Sequence, residues 1–182
     1  MPFPRASAIQ LLILLSCLLP LTAVAQKGEV IAWQEGYKLN WADYRGVPDP
    51  ANAAAASTST FLGIEFQLTN NSLSYTITCH FSKDKSWGRM QNDYLLAHEQ
   101  GHFDIAEIYA RKLYKKMKSY VFNKDTYQAD LRNIYQSVLD EKEETQNTYD
   151  RETNHSINRE KQAEWLKKIA AMLKELAAFA EY

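Results

Sequence analysis

Asn92-Asp93-Tyr94-Leu95-Leu96-Ala97-His98-Glu99-Gln100-Gly101-His102-Phe103-Asp104-Ile105-Ala106-Glu107-Ile108-Tyr109-Ala110-Arg111 is the stretch on which the fold turns. Leu95, His98, His102, Ile105 and Tyr109 recur at the spacing of one helical face, and Asn92 or Asp93 can cap the N-terminus. The stripe predicts a helix with its two histidines on the buried side. Positions i and i+4 lie about 40° apart on a helix that advances about 100° per residue. His98 and His102 therefore leave one face, one turn apart, as two imidazoles sharing a metal ion must. Glu99, next to the first histidine, is placed to take a proton from a metal-bound water. This H-E-x-x-H pattern predicts His98 and His102 as Zn2+ ligands and Glu99 as the catalytic general base. Three fixed positions in five also recur by chance, so the plain alternative is a pair of core histidines at coincidental spacing.

C-terminal to this stretch the chain stays helical and charged. Three long helices are expected, roughly Asn92 to Tyr120, Thr126 to Asn147 and Arg159 to Phe179. The basic run from Arg111 to Lys118 suits a solvated face at a helix C-terminus, and Asp140 to Glu144 a solvated acidic face. N-terminal to the stretch the period changes to two. Leu62, Ile64, Phe66 and Leu68 alternate with polar residues, as do Tyr75, Ile77, Cys79 and Phe81, across a turn at Asn70-Asn71. That pattern predicts an antiparallel hairpin. Val30-Ile31-Ala32-Trp33 is a further short apolar run. Leu39 to Pro48 and Asp49-Pro50 end in turn residues, and the alanines 53–56 suggest no role. Strands fill 26–88 and helices 89–182, an order that predicts an α+β fold: a small N-terminal antiparallel sheet packed on a C-terminal set of three long helices, zincin-like. In zincins such a sheet lies on the H-E-x-x-H helix, and its edge strand can hold an extended peptide.

The 182 residues suit a single domain spanning 26–182, preceded by a leader. Arg5, the apolar run Ala8 to Leu19, Pro20 and Ala23-Val24-Ala25 make residues 1–25 a secretory signal peptide. A lipobox at Leu14-Leu15-Ser16-Cys17 fits less well, because Cys17 lies inside the apolar run. The expected location is periplasmic or extracellular, with no transmembrane segment in the mature chain. The formal net charge of −1 gives nucleic acid no basis for binding. Of the 2 cysteines, Cys79 alone survives cleavage and is expected as a buried thiol.

A catalytic zinc usually takes three protein ligands. The chain has 4 histidines. Glu107 points about 140° to 180° away from His98 and His102 on the same helix and cannot join them. The position six residues after His102 is Ile108, which removes a metzincin-type third histidine, and the glycine expected three residues after His102 is Ile105. Glu143 and Glu144 are possible ligands from a second helix. His80 faces the polar side of its strand. His155 is the preferred third metal ligand, since Asn154 and Ser156 allow a turn that bends it toward the first helix. Tyr149 and Arg151 come into question as a second oxyanion donor, with packing the preferred reading of Tyr149.

Leu39-Asn40-Trp41-Ala42-Asp43-Tyr44-Arg45-Gly46, Lys85-Ser86-Trp87, Leu95 to Glu107, Tyr149-Asp150, Thr153-Asn154-His155, Gln162 and Trp165 together resemble a bacterial domain-of-unknown-function family. Its members are regarded as predicted secreted zinc-dependent proteases, and the resemblance runs from about Trp33 to Trp165. A glycine often follows the family histidine matched by His155; here it is Ser156. The resemblance implies a zinc-peptidase-like site. The expected function is a secreted zinc metallohydrolase acting on a peptide or protein substrate. The alternative is a zincin-like module of the cell envelope that binds zinc without turnover.

Overall fold

The computed structural model describes residues 28–69 and 72–182. The leader 1–25, Cys17 and the turn at Asn70-Asn71 lie outside them. The remaining chain is α+β. Strands β1 (Val30–Ala32), β3 (Thr60–Thr69) and β4 (Ser72–Ser82) form an antiparallel sheet in the order β1-β4-β3. Strands β2 (Ala56–Ser57) and β5 (Trp87–Gly88) form a second, two-stranded one. Helices α1 (Asp93–Ser119), α2 (Tyr127–Thr153) and α3 (Arg159–Glu175) follow.

The hairpin register matches the period-two pattern: Ile64 lies opposite Ile77, and Leu62 opposite Cys79. Leu62, Ile77, Cys79 and Phe81 are buried against α1, whereas Phe66 and Leu68 are 44% and 40% exposed. Asn92 caps α1 through Leu95 N, as its sequence suggests. Leu95, His98, Ile105 and Tyr109 are all buried. Arg111 departs from the expected solvated basic face. It is 3% exposed, donates Nε to Glu107 Oε1 at 2.8 Å, and lies over the Trp33 ring. A guanidinium enters a core only with its charge matched, and Glu107 supplies the match. Glu107 is thereby turned away from His98 and His102, as its helical offset requires.

Helix α2 runs to Thr153, six residues past the expected end at Asn147. Gln146-Asn147-Thr148 carries no apolar period, so pattern alone stops there. Tertiary packing carries the helix on, because the next turn places Tyr149 in the core at 0% exposure. The helix ends at left-handed Asn154, and His155 N closes on Asp150 O at 2.9 Å. Asn154, His155 and Ser156 have φ of 48°, 50° and 74°. Three successive non-glycine residues in this region store backbone strain. Among the described residues no helix is long and apolar enough to cross a membrane.

Candidate metal centre

Three side chains converge where α1 crosses α2. Asp150 Oδ1 lies 3.1 Å from His98 Nε2 and 3.0 Å from His102 Nε2, and the two Nε2 atoms are 3.3 Å apart. Among the described residues His98, His102 and Asp150 form the group able to hold a metal ion. Ligands at about 2.05 Å in a tetrahedron stand about 3.3 Å from one another, so these spacings fit a zinc-sized ion. Two imidazoles and a carboxylate are also a zinc donor set.

His155 lines the same cleft but is not one of that group. Its Nδ1 is 3.7 Å from Asp150 Oδ1 and its side chain is 73% exposed. Asp150 is the residue that sequence reading missed. With α2 ended at Asn147, it fell in a loop; on the full helix it stands four residues after Gln146, on one face. The carboxylate that α2 brings to the two histidines is that of Asp150; Glu143 and Glu144 are not in that group. Glu143 does line the cleft. His80 sits on β4, opposite Phe61, outside the group.

The side chains of this group are held from behind. Gln146 takes His102 Nδ1 on its amide oxygen and returns its amide N–H to His102 O at 2.9 Å. Such a clamp fixes the ring and leaves Nε2 for the centre. His98 stacks on Tyr149 at 4.5 Å, and the Tyr149 hydroxyl donates to His98 O. Tyr149 is thus a packing residue. It presses so close that a Cβ on Gly101 would meet its hydroxyl at 2.6 Å, which accounts for glycine within the motif. Trp165 of α3 supports Tyr149 from the far side and donates to Glu152 Oε2. Gln100 accepts from Leu39 N at 2.9 Å and donates to Asp104, which also accepts from Trp33 Nε1.

Glu99 is 3% exposed and accepts a hydrogen bond of 2.6 Å from Thr58 Oγ1. The Tyr44 hydroxyl stands 2.9 Å from the same Oγ1. Burial raises the Tyr44 pKa, against the lowering effect of Thr58 and with the negative charge of Glu99 adding to the rise. Thr58 gives its one proton to Glu99, so its oxygen accepts from the Tyr44 hydroxyl. Tyr44 follows a short 3-10 turn, Trp41–Asp43, closed by a capping box between Asn40 and Asp43.

Electrostatics favour positive charge here. Burial alone would raise the Asp150 pKa, but the hydrogen bonds from His102 and His98 outweigh it and hold the carboxyl well below its usual range. Burial alone would lower the His102 pKa, yet the hydrogen bond and charge of Asp150 carry it above the ordinary histidine value. Asp150 thus favours the protonated form of His102.

The opposite wall of the cleft is the run Ala54 to Thr60. Ser82 N bonds Ser59 O, and Arg89 N bonds Ala55 O. By the two-residue period, the main-chain groups of Ala56 and Thr60 point away from their partner strands, along an unpaired edge. The alanine run, silent in the sequence, forms part of this wall.

The span that supplies both walls of the cleft and the side chains of the group decides the family. The chain belongs to DUF922, a family of bacterial proteins of unknown function, whose model matches residues 23–156. The matched span ends one residue after His155, so the DUF922 region holds the whole centre and stops before α3. No curated protein and no solved structure matches the chain.

Proposed function

We propose that this DUF922 protein is an exported zinc-dependent hydrolase that cleaves peptide bonds. The observation that carries the reading is the convergence of His98, His102 and Asp150 beside the buried carboxylate of Glu99, in an open cleft. Zinc bound there would acidify a water molecule and polarise the scissile carbonyl. Neutral His98 and His102 would offer Nε2, Asp150 would offer Oδ1, and Gln146 would keep His102 in the required tautomer. Glu99 takes a proton from the attacking water and passes it to the leaving nitrogen as the C–N bond breaks. The unpaired edge at Ala56 and Thr60 suits an extended polypeptide laid beside it as an added strand. Small and polar lining (alanine, serine and threonine on one wall, Gln146 and Asn147 on the other) suits small or polar side chains around the scissile bond. Residues 1–25 as a signal peptide would deliver the enzyme to the periplasm or beyond.

Metal analysis of purified protein tests the first half, with about one zinc per chain expected. Asp150→Ala should lose most of that zinc, and His155→Ala should keep it. The reverse result would restore the three-histidine set of His98, His102 and His155. Glu99→Gln should keep zinc and lose hydrolysis of a broad peptide library. A zinc-loaded wild type that cuts nothing in that library would point to the non-catalytic zinc-binding module instead.

A further inference from the structure

The general base of the proposed reaction is held by a residue outside its own helix. Thr58 sits between β2 and β3, in the cleft wall facing the two histidines. Its hydroxyl donates to Glu99 Oε2 at 2.6 Å and lies 2.9 Å from the Tyr44 hydroxyl. We infer that Thr58, backed by Tyr44, is the positioning residue that fixes the Glu99 carboxylate for proton transfer. The inference rests on the hydrolase reading above.

The argument is geometric. Glu99 leaves α1 near the histidines, but a glutamate has three rotatable side-chain bonds and no fixed direction of its own. One carboxylate oxygen tied to Thr58 removes that freedom. It leaves Oε1 to receive the proton from water and to return it to the leaving nitrogen, so the carboxylate ends each cycle in its starting charge state. Thr58 has a single O–H, and donating it to Glu99 obliges the oxygen to accept from Tyr44. The order Tyr44 to Thr58 to Glu99 is therefore fixed.

Tyr44 is itself anchored. The turn before it is closed by the capping box of Asn40 and Asp43. After it, Gly46 N bonds Ser86 O at 2.7 Å, where a Cβ on Gly46 would meet Ser86 O at 2.8 Å. Ser86 Oγ in turn accepts from Ser59 N, one residue past Thr58. The segments Asn40 to Gly46 and Ser57 to Ser59 are thus braced against the same residue, Ser86.

The test uses Thr58→Val, which matches threonine in shape and lacks the donor, with Thr58→Ser as the variant that restores it. Zinc content and Tm are measured first, then kcat and KM on a quenched fluorescent peptide bearing the sequence best cut from a randomised library. Thr58→Val should keep zinc and KM and lower kcat about tenfold to a hundredfold, the scale of a misplaced catalytic group. Thr58→Ser should recover most of that loss, and Tyr44→Phe should give a smaller fall of the same kind. A Thr58→Val enzyme with wild-type kcat overturns the inference and leaves the hydrolase reading intact. So does a fall that Thr58→Ser does not rescue, or one that follows zinc loss. An inert wild type overturns both.

Discussion

Each residue from His98 to Asp104 has a separate physical task. His98 and His102 face Asp150, Glu99 faces Thr58, Gln100 ties α1 to Leu39, and Asp104 takes the Trp33 indole. Phe103 packs on Phe81 in the core. Gly101 is the position where the cost of change is clearest. Its Cβ would stand 2.6 Å from the Tyr149 hydroxyl and 2.9 Å from Cζ. Overpacking of this kind costs about 1–3 kcal/mol, and the better helix propensity of alanine returns up to about 1 kcal/mol. Gly101→Ala should therefore unfold at lower urea than wild type. In a Tyr149→Phe background the penalty should shrink, because the nearest atom has gone. A Gly101→Ala protein as stable as wild type would show that Tyr149 yields freely. At this scale the pattern His98-Glu99-x-x-His102 was legible from spacing alone. Thr58 and Tyr44 were not, since nothing local marks a hydroxyl whose partner is 41 positions away.

At the scale of elements, α2 and the C-terminus carry the surprises. The lower half of α2 is polar in sequence and buried in part by its neighbours, so its last turns exist because Tyr149 packs on α1 and Trp165 on α3. Asp150 became visible only once that helix was complete. Near the middle of α1, Tyr182 donates to Glu107 Oε2, beside the Arg111 contact to Oε1. Burial raises the Glu107 pKa, while Tyr182 and Arg111 offset part of the rise. Tyr182→Phe removes one donor from this buried carboxylate and should cost about 1–3 kcal/mol in urea unfolding. A neutral result would mean that water or the Arg111 guanidinium replaces the lost bond. The two-residue alternation of the hairpin, by contrast, was readable in advance. Its period is local, and the register follows from it.

At the scale of the whole molecule, the centre joins α1 to α2, so zinc should stabilise the fold against chelator-treated protein. Free zinc at about a hundredfold above Kd would add about 2.7 kcal/mol, or about 5–10 °C in Tm for a chain of this size. The dependence on pH should have opposite signs in the two forms. Without metal, the raised His102 pKa contributes stability that is present below the ordinary value of 6.5 and lost as pH rises through the folded value. With zinc, both imidazoles must be unprotonated, so binding weakens as pH falls. The gap in Tm between zinc-loaded and chelated protein should thus widen from about pH 5 to pH 8. A gap that is flat across that range would count against zinc at this centre. The sequence by itself determined the class of the fold, the hairpin, the three helices and the turn of helix bearing His98, Glu99 and His102. These follow from periods of two and 3.6 residues, which are properties of neighbouring positions. Only the tertiary structure decided that Asp150 completes the group, that Gln146 meets His102 and Thr58 meets Glu99, and that the silent alanines wall the cleft. Those pairings join residues more than forty positions apart, and no local period records which distant side chain will arrive.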